Sequence, residues 1–288
     1  MKIKIILLLI CIILPGSSLF AQTGTIPKFQ LQQNDLQLQR LAQPHSPFNK
    51  VGHKFAVLGQ ESGSFEAWAY PLKLFRNFEF SFLLANSTTP VKAADLVRYI
   101  SVSPEASTLT YTFQSFTVKA IFVTPPEQPG AFIFLDIEST VPLTLVCGFL
   151  PVMQPMWPAG IGGQYAYWNK DLNAYIISES GRQNHGIIGS PAAAGISATP
   201  AHMLSDAPNE FKIEITDPEK VSGELIPIVM AGGRGERDSV IAVYQRLLAD
   251  PEKYYRKTYE YYQQLRQNTA RISTPVKELD LAFEWAKV

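Results

Sequence analysis

The sequence predicts a mainly β protein, an antiparallel β-sandwich of the supersandwich type followed by a few helices at its C-terminal end. Short runs of β-favouring residues alternate in hydrophobicity with a period of two, as between Leu109 and Phe113, where large apolar residues alternate with threonines. Glycine- and proline-rich turns separate these runs at short intervals. Helical spacing of apolar residues begins only after Asp238. This order of signals favours a sandwich over a parallel α/β sheet.

Composition and charge exclude several classes of function. The chain has 288 residues, 46% of them hydrophobic, with a formal charge of zero. This length accommodates one large β domain or two ordinary ones. No basic face is indicated, so we expect no nucleic-acid partner. The four histidines are scattered without the spacing of metal ligands, and we expect neither a metal ion nor another cofactor.

Residues 1–21 have the pattern of a secretory signal peptide, with an uncleaved anchor as the alternative. Two lysines precede an apolar run from Ile5 to Leu14, and Ala21 is a small residue suited to cleavage. A run of about 10 apolar residues is too short to span a bilayer comfortably, so we expect no stable membrane span after leader removal. Removal leaves 23 of the 25 basic residues against 25 acidic ones, a net charge of −2. We expect an exported protein, periplasmic or extracellular, in which Cys147 is a lone cysteine without a disulfide partner.

The β-sandwich domain is predicted to span residues 51–235, after a glutamine-rich lead-in over residues 22–50 with no more than one short strand. The stretch from Gly59 to Leu84 changes from a glycine-containing loop into an aromatic strand pair, and one face of its second strand should pack on a core. That face carries Phe78, Phe80 and Phe82. Asp136 and Glu138 share a face of a later strand, and a solvated face is favoured over a catalytic carboxylate pair because no recognisable catalytic loop adjoins them.

Two stretches depart from the strand pattern. Residues 151–169 contain three prolines and three glycines and predict a long, rigid loop, and residues 181–204 predict a second glycine- and alanine-rich connection. Residues 231–238 are also glycine-rich, but they lack the Gly-Lys-Ser/Thr ending of a phosphate-binding loop. A plain turn from strand to helix is therefore predicted there.

A helical linker is predicted over residues 236–274 and a further helix over residues 275–288. Asp250 and Pro251 have the pattern of an N-cap followed by proline at the first helical position. The last helix has an apolar stripe that nothing in the remaining sequence covers, so we expect it to need a packing partner. The stripe consists of Val276, Leu279, Phe283 and Ala286.

Seven residues are candidates for contact with carbohydrate: Glu66, Trp68, Tyr70, Trp157, Tyr165, Tyr167 and Trp168. Indole and phenol rings suit the C–H-rich faces of sugars, and nearby Gln154, Gln164 and Asn169 are able to bond to hydroxyl groups. The structural alternative is that each ring packs in the sandwich or over one of its open ends. From the residues alone, both alternatives stand.

Several separated motifs, in order, resemble the N-terminal β-sandwich domain of bacterial amylo-α-1,6-glucosidases, glycogen-debranching-type glycosidases whose catalytic part is an (α/α)6 barrel. The first is Gly63-x-Phe65-Glu66-Ala67-Trp68-x-Tyr70-Pro71-Leu72-Lys73. It is followed by Pro155-Met156-Trp157-Pro158-Ala159-Gly160, Gly163-Gln164-Tyr165-Ala166-Tyr167-Trp168 and Gly189-Ser190-Pro191-Ala192. The similarity runs from about Gly52 to the C-terminus.

The resemblance implies a role within a larger enzyme. Residues 281–287 resemble the first helix of the catalytic barrel, so the chain would end with the truncated start of that barrel and the missing barrel would be its partner. Two carboxylic residues, an acid and a base for inversion, would lie beyond Val288, so no catalytic residue is expected in this chain and the chain alone should be inactive. The substrate would be an α-glucan or another oligosaccharide. A stand-alone carbohydrate-binding or scaffold module is the alternative, and a complete hydrolase within these residues is disfavoured.

Overall fold

A computed structural model describes residues 24–85, 87–157, 160–197 and 207–288. The predicted leader, the Pro158-Ala159 part of the aromatic motif and His202 lie outside these ranges. Within them the chain forms two antiparallel β-sheets, sheet 1 and sheet 2, with helices mainly at the C-terminal end. The mainly β, antiparallel character predicted from the sequence is confirmed. No helix in the described part of the chain is long and apolar enough to cross a membrane.

Each sheet mixes strands from distant parts of the chain. In spatial order, sheet 1 contains β13 (Gln164–Asn169), β14 (Ala174–Glu179), β15 (Asn184–Gly189), β18 (Glu224–Arg234), β11 (Gly130–Ser139), β10 (Phe116–Val123), β9 (Ser107–Phe113), β8 (Val97–Val102) and β2 (Leu38–Leu41), with β1 (Ile26–Pro27) paired to β18. Sheet 2 contains β16 (Ala193–Ile196), β17 (Asn209–Ile215), β12 (Leu143–Pro155), β6 (Leu72–Leu84), β5 (Phe65–Ala69), β4 (Phe55–Gln60) and β3 (Pro47–Val51), with β7 (Val91–Lys92) paired to β6. The helices are a 3-10 turn (Ala93–Asp95), α1 (Pro218–Val221), α2 (Arg237–Ala249), α3 (Pro251–Gln267) and α4 (Lys277–Trp285).

The main hydrophobic core lies between the two sheets. Successive side chains of a strand point to opposite faces, so every second residue of a central strand enters this core. In β11, Ile133 and Leu135 belong to it, and in β6 the predicted phenylalanine face enters it from the other sheet. The rings of Phe78, Phe80 and Phe82 are no more than 3% exposed.

The part of sheet 1 beneath α2 and α3 is apolar on both faces. Phe132 and Phe134 of β11 point away from sheet 2 and pack in a second core with Tyr244, Leu247 and Tyr255 of the two helices. Tyr244 and Leu247 are 0% exposed. The predicted N-cap between the helices is confirmed, since the Asp250 carboxylate accepts a hydrogen bond from the Lys253 backbone N–H at 3.1 Å. The segment predicted as a linker therefore forms part of the folded body.

Residues 22–50 contribute more structure than the sequence predicts. Three short strands, β1, β2 and β3, pair with β18, β8 and β4 respectively. They lie at sheet edges or are only two residues long, so their sequences lack the alternation that a half-buried strand needs.

The Asp136 carboxylate on β11 is buried and paired with two lysines. It is 6% exposed and pairs with Lys28 of the N-terminal segment (2.7 Å) and with Lys119 (3.7 Å). Asp136 is thus a buried, paired carboxylate, and the prediction that it lies on a solvated face is wrong.

The two stretches predicted as loops are largely strands. β12 continues to Pro155 and β13 starts at Gln164, while β15 and β16 lie inside the second predicted connection. The glycines of β15 weakened the strand pattern in the sequence. They are required because the backbones of β14 and β15 approach closely at Gly189, where a Cβ would lie 2.2 Å from the Asn173 carbonyl oxygen. Tertiary packing here overrides the low intrinsic β-propensity of glycine.

Helix α4 is tied to the rest of the fold by charged residues. Arg266 at the end of α3 binds Asp35 (2.8 Å) and Glu284 (2.9 Å), and Lys287 binds Glu284 at 2.7 Å. Part of the predicted apolar stripe stays exposed, with Val276 at 47% and Leu279 at 56%.

Candidate carbohydrate-contact surface

Strands β5 and β6 place one aromatic and two charged side chains together on the outer face of sheet 2. Phe65, Ala67 and Ala69 point into the core, so Glu66 and Trp68, which alternate with them, point outward. Trp68 pairs directly with Lys73 of β6 in the antiparallel register. Glu66, Trp68 and Lys73 are called the β5–β6 patch below.

The three side chains of the β5–β6 patch contact one another. Trp68 Nε1 donates to Glu66 Oε1 at 2.7 Å, and Lys73 Nζ lies 2.6 Å from Glu66 Oε2. The Lys73 ammonium also lies 5.0 Å from the centre of the Trp68 ring, within the range of a cation–π interaction. The indole is therefore fixed by its N–H and by one neighbouring cation. Glu66 retains further lone pairs, and Lys73 further N–H donors, for a ligand.

The turn between β5 and β6 adds exposed rings to one end of the β5–β6 patch. The Tyr70–Pro71 peptide bond at this turn is cis. The Met156 backbone N–H donates to the Pro71 carbonyl at 3.0 Å, which brings the end of β12 beside the turn. Trp157 is 52% exposed and Tyr70 37% exposed, and partial burial raises the pKa of the Tyr70 hydroxyl. Four of the seven candidates, Glu66, Trp68, Tyr70 and Trp157, thus lie in one region.

Tyr165 and Tyr167 lie elsewhere, on the outer face of sheet 1. Both belong to β13, the strand at one edge of that sheet. Tyr167 packs at the border of the core beneath α2, and the two rings are nearly parallel, with centres 6.2 Å apart and planes at 19°. The structure does not bring them into the β5–β6 patch.

Trp168 is half-buried on the inner face of sheet 1. Its ring contacts Tyr175 edge-on at 5.0 Å and Phe211 at 6.2 Å between centres, and it borders the main core. Packing against the core is thus the alternative that the structure favours for this ring, and its contact with sugar stays a prediction. The physical reason is the strand period: Trp168 follows Tyr167 directly in β13 and must point to the opposite face.

Two of the three polar residues expected to bond to sugar hydroxyls are used internally. The Gln164 side chain accepts from the Met153 N–H and donates to the Pro151 carbonyl, tying β13 to β12. The Asn169 side chain accepts from two backbone N–H groups of the following turn. Gln154 is exposed and pairs with Lys73 across β12 and β6. Only Gln154 of these three adjoins the β5–β6 patch.

Other ionisable clusters are structural. Glu61 is 1% exposed and is bound by the Arg40 guanidinium and the Gln43 N–H. The Ser178 hydroxyl lies 2.7 Å from His185 Nδ1, but both residues are buried and His185 Nε2 faces the Arg182 carbonyl at 3.1 Å. This pair lacks the access that a nucleophile needs. In the part of the chain that the structure describes, no group of three or more His, Cys, Asp or Glu side chains is placed to hold a metal ion.

Lys73 was missing from the candidates drawn from the sequence, although it lies in the first motif. The signal that identifies it is the short turn at Tyr70-Pro71. If β5 and β6 form a hairpin about this turn, Lys73 lies opposite Trp68.

No protein-family model matches the sequence, and no curated protein matches it. Among solved structures, a bacterial glucoamylase in complex with acarbose is similar to this chain, with a TM-score of 0.53 and 11% identity over 84% of the chain. The two proteins share a fold. The matched region is 40% of the glucoamylase, so this chain spans well under half the length of that protein. An Escherichia coli K12 protein assigned as an aldose 1-epimerase matches 66% of the chain and 99% of its own length, with a TM-score of 0.40 and 9% identity.

Proposed function

We propose that this chain is the N-terminal, non-catalytic domain of a secreted glycoside hydrolase that acts on α-glucans, in the manner of a glycogen-debranching enzyme on α-1,6 bonds. The observation that carries the proposal is the β5–β6 patch, in which Glu66 and Lys73 hold the Trp68 indole at the surface. A fixed indole flanked by a carboxylate and an ammonium group is suited to a pyranose ring with hydroxyl groups at its edge. The glucoamylase that shares the fold supports a carbohydrate-related role.

The partner in this proposal is an (α/α)6 catalytic barrel that follows the chain. Exposed Val276, Leu279 and Leu281 on and beside α4 support a packing partner there, since short helices gain most of their stability from tertiary contacts. The catalytic acid and base belong to that barrel, and the β5–β6 patch shapes the substrate cleft. No bond is cleaved by the chain alone.

The coding sequence beyond Val288 tests the partner directly. We expect roughly 300 to 450 further residues of repeated helical hairpins, the length that six hairpins of ordinary helices require. A stop codon within a few codons of Val288 would overturn the debranching-enzyme part of the proposal. The β5–β6 patch and Trp157 would then favour the second candidate, a stand-alone carbohydrate-binding module.

A binding measurement tests the β5–β6 patch. We expect Trp68→Ala to weaken binding of a branched maltodextrin about tenfold, equivalent to roughly 1.4 kcal/mol. Tyr99→Ala is the matched control, because Tyr99 is 46% exposed on another edge of the molecule and should leave binding unchanged. Equal affinity of Trp68→Ala and the unmodified protein, with melting temperatures also equal, would refute the assignment of this patch.

A further inference from the structure

The two tyrosines of β13 form an aromatic pair that the β5–β6 patch does not include. Tyr165 and Tyr167 are two residues apart on one strand, so their side chains leave the same face of sheet 1. Their planes differ by 19° and their centres are 6.2 Å apart, so the two rings lie side by side and nearly parallel. Among the described residues β13 is the last strand of sheet 1, and none of them pairs with its far side. We call this pair the tyrosine platform.

One ring of the tyrosine platform, Tyr167, is anchored on the core, and hydrogen-bonding groups lie beside it. Tyr167 packs against the core under α2, while Tyr165 is 37% exposed. Arg237, the first residue of α2, extends a guanidinium N–H to the Tyr167 hydroxyl at 3.5 Å and contacts Asp238 at 3.4 Å. Both charged side chains are more than half exposed, at 53% and 83%. Donor and acceptor groups of opposite charge therefore border the rings.

We propose that the tyrosine platform is a second carbohydrate-binding site, which takes a strand of neutral polysaccharide across Tyr165 and Tyr167. The two nearly parallel rings contact sugar units of one strand, while Arg237 and Asp238 bond to hydroxyl groups at the border. The balanced pair of charges matches a neutral ligand, and it disfavours a nucleic acid, whose phosphates require excess positive charge. The proposal rests on the carbohydrate-related role proposed above but uses no residue of the β5–β6 patch.

The tyrosine platform and the β5–β6 patch lie on opposite faces of the sandwich. The tyrosine platform lies on the outer face of sheet 1, whereas the β5–β6 patch lies on the outer face of sheet 2, and the main core separates the two faces. One short oligosaccharide therefore does not occupy both. A polymer such as glycogen offers many chain ends and engages the two sites at once, which raises its overall affinity without any new contact.

The experiment is electrophoresis of the folded chain in native gels that contain glycogen, with maltotriose as a short competitor. We expect Tyr165→Ala/Tyr167→Ala to weaken retardation by glycogen at least fivefold while Trp68→Ala reduces it separately, and the triple variant to migrate as in a gel without glycogen. Tyr165→Phe/Tyr167→Phe keeps the rings and should retain most of the retardation. Tyr99→Ala serves as the exposed control.

Two outcomes overturn the proposal. One is unchanged retardation of Tyr165→Ala/Tyr167→Ala at an unchanged melting temperature. The other is complete loss of retardation in Trp68→Ala alone, since the second site would then contribute nothing. If the alanine pair is less stable because Tyr167 leaves the core, Tyr165→Ala alone, at the more exposed position, decides between the outcomes. If Trp68→Ala reduces retardation by glycogen and the tyrosine substitutions have no effect, the second site is refuted and the proposed function stands. Failure of the second site is therefore distinguishable from failure of the proposed function.

Discussion

Lys50 of β3 holds its ammonium group beneath the surface of the sandwich. Its Nζ donates to the carbonyl oxygens of Ser103 (2.7 Å) and Pro104 (2.9 Å). Burial lowers the pKa of Lys50 to about 8, against a smaller opposing effect of the nearby Glu105 carboxylate. On folding, the protonated amine exchanges its hydrating water for two carbonyl groups, which compensate only in part for the lost hydration.

This pKa makes stability depend on pH in a defined window. Between pH 8 and about 10 the unfolded chain keeps the Lys50 proton while the folded chain loses it, so the free energy of unfolding rises with pH. The full effect approaches 1.4 kcal/mol for each unit by which the folded and unfolded pKa values differ. Urea unfolding at pH 7.5 and pH 9.5 should show a larger gain for the unmodified protein than for Lys50→Met. Parallel pH profiles of the two proteins would contradict this expectation.

Gly189 and Gly195 offer a matched pair of glycine substitutions. A Cβ on Gly189 would lie 2.2 Å from the Asn173 carbonyl oxygen and 2.5 Å from the Ala174 backbone, whereas a Cβ on Gly195 has open space around it. We expect Gly189→Ala to destabilise the fold by about 1–3 kcal/mol, as overpacking does. Gly195→Ala should be neutral or slightly stabilising, by about 0.5 kcal/mol. Thermal melting of both variants measures the difference, and equal melting temperatures would show that β14 and β15 are not packed this closely.

At the scale of elements, α2 contributes to stability and the outer face of α4 does not. Leu247 of α2 is 0% exposed in the core above sheet 1, while Leu279 of α4 is 56% exposed. Leu247→Ala should lower the free energy of unfolding by about 2–5 kcal/mol. Leu279→Ala should change it by less than about 0.5 kcal/mol in the chain as described. Denaturant unfolding compares them, and similar losses would mean that α4 is packed as firmly as α2.

Elements with regular periodicity were predictable from the sequence, and glycine-rich or edge elements were not. The phenylalanine face of β6 and the Asp250 cap of α3 follow from local rules of strand alternation and helix capping. β15 and β16 are held by contacts with strands distant in sequence, so their own residues carry little signal. The edge strands β2 and β3 bury few side chains, and their alternation is correspondingly weak.

At the scale of the whole molecule, the sequence indicated which residue types suit a sugar but not which of them meet. Glu66 and Trp68 are two apart on one strand, so their shared face was predictable, and Lys73 follows once the hairpin is recognised. The distribution of the other aromatic residues between two sheets depends on the fold. Trp157 joins the region of the β5–β6 patch because β12 pairs with β6, whereas Tyr165 follows only a few residues later and belongs to sheet 1.

The central place of β18 has a consequence for the time course of folding. β18 joins the β13–β15 half of sheet 1 to the half that begins at β11, and it also pairs with β1 from the other end of the chain. We therefore expect the two parts of sheet 1 to join only after β18 has been synthesised. Contacts between such distant residues form slowly, on the order of milliseconds to seconds or longer in β proteins. We expect late closure of sheet 1 to keep the nascent polypeptide unfolded for longer, which would suit the export predicted from residues 1–21.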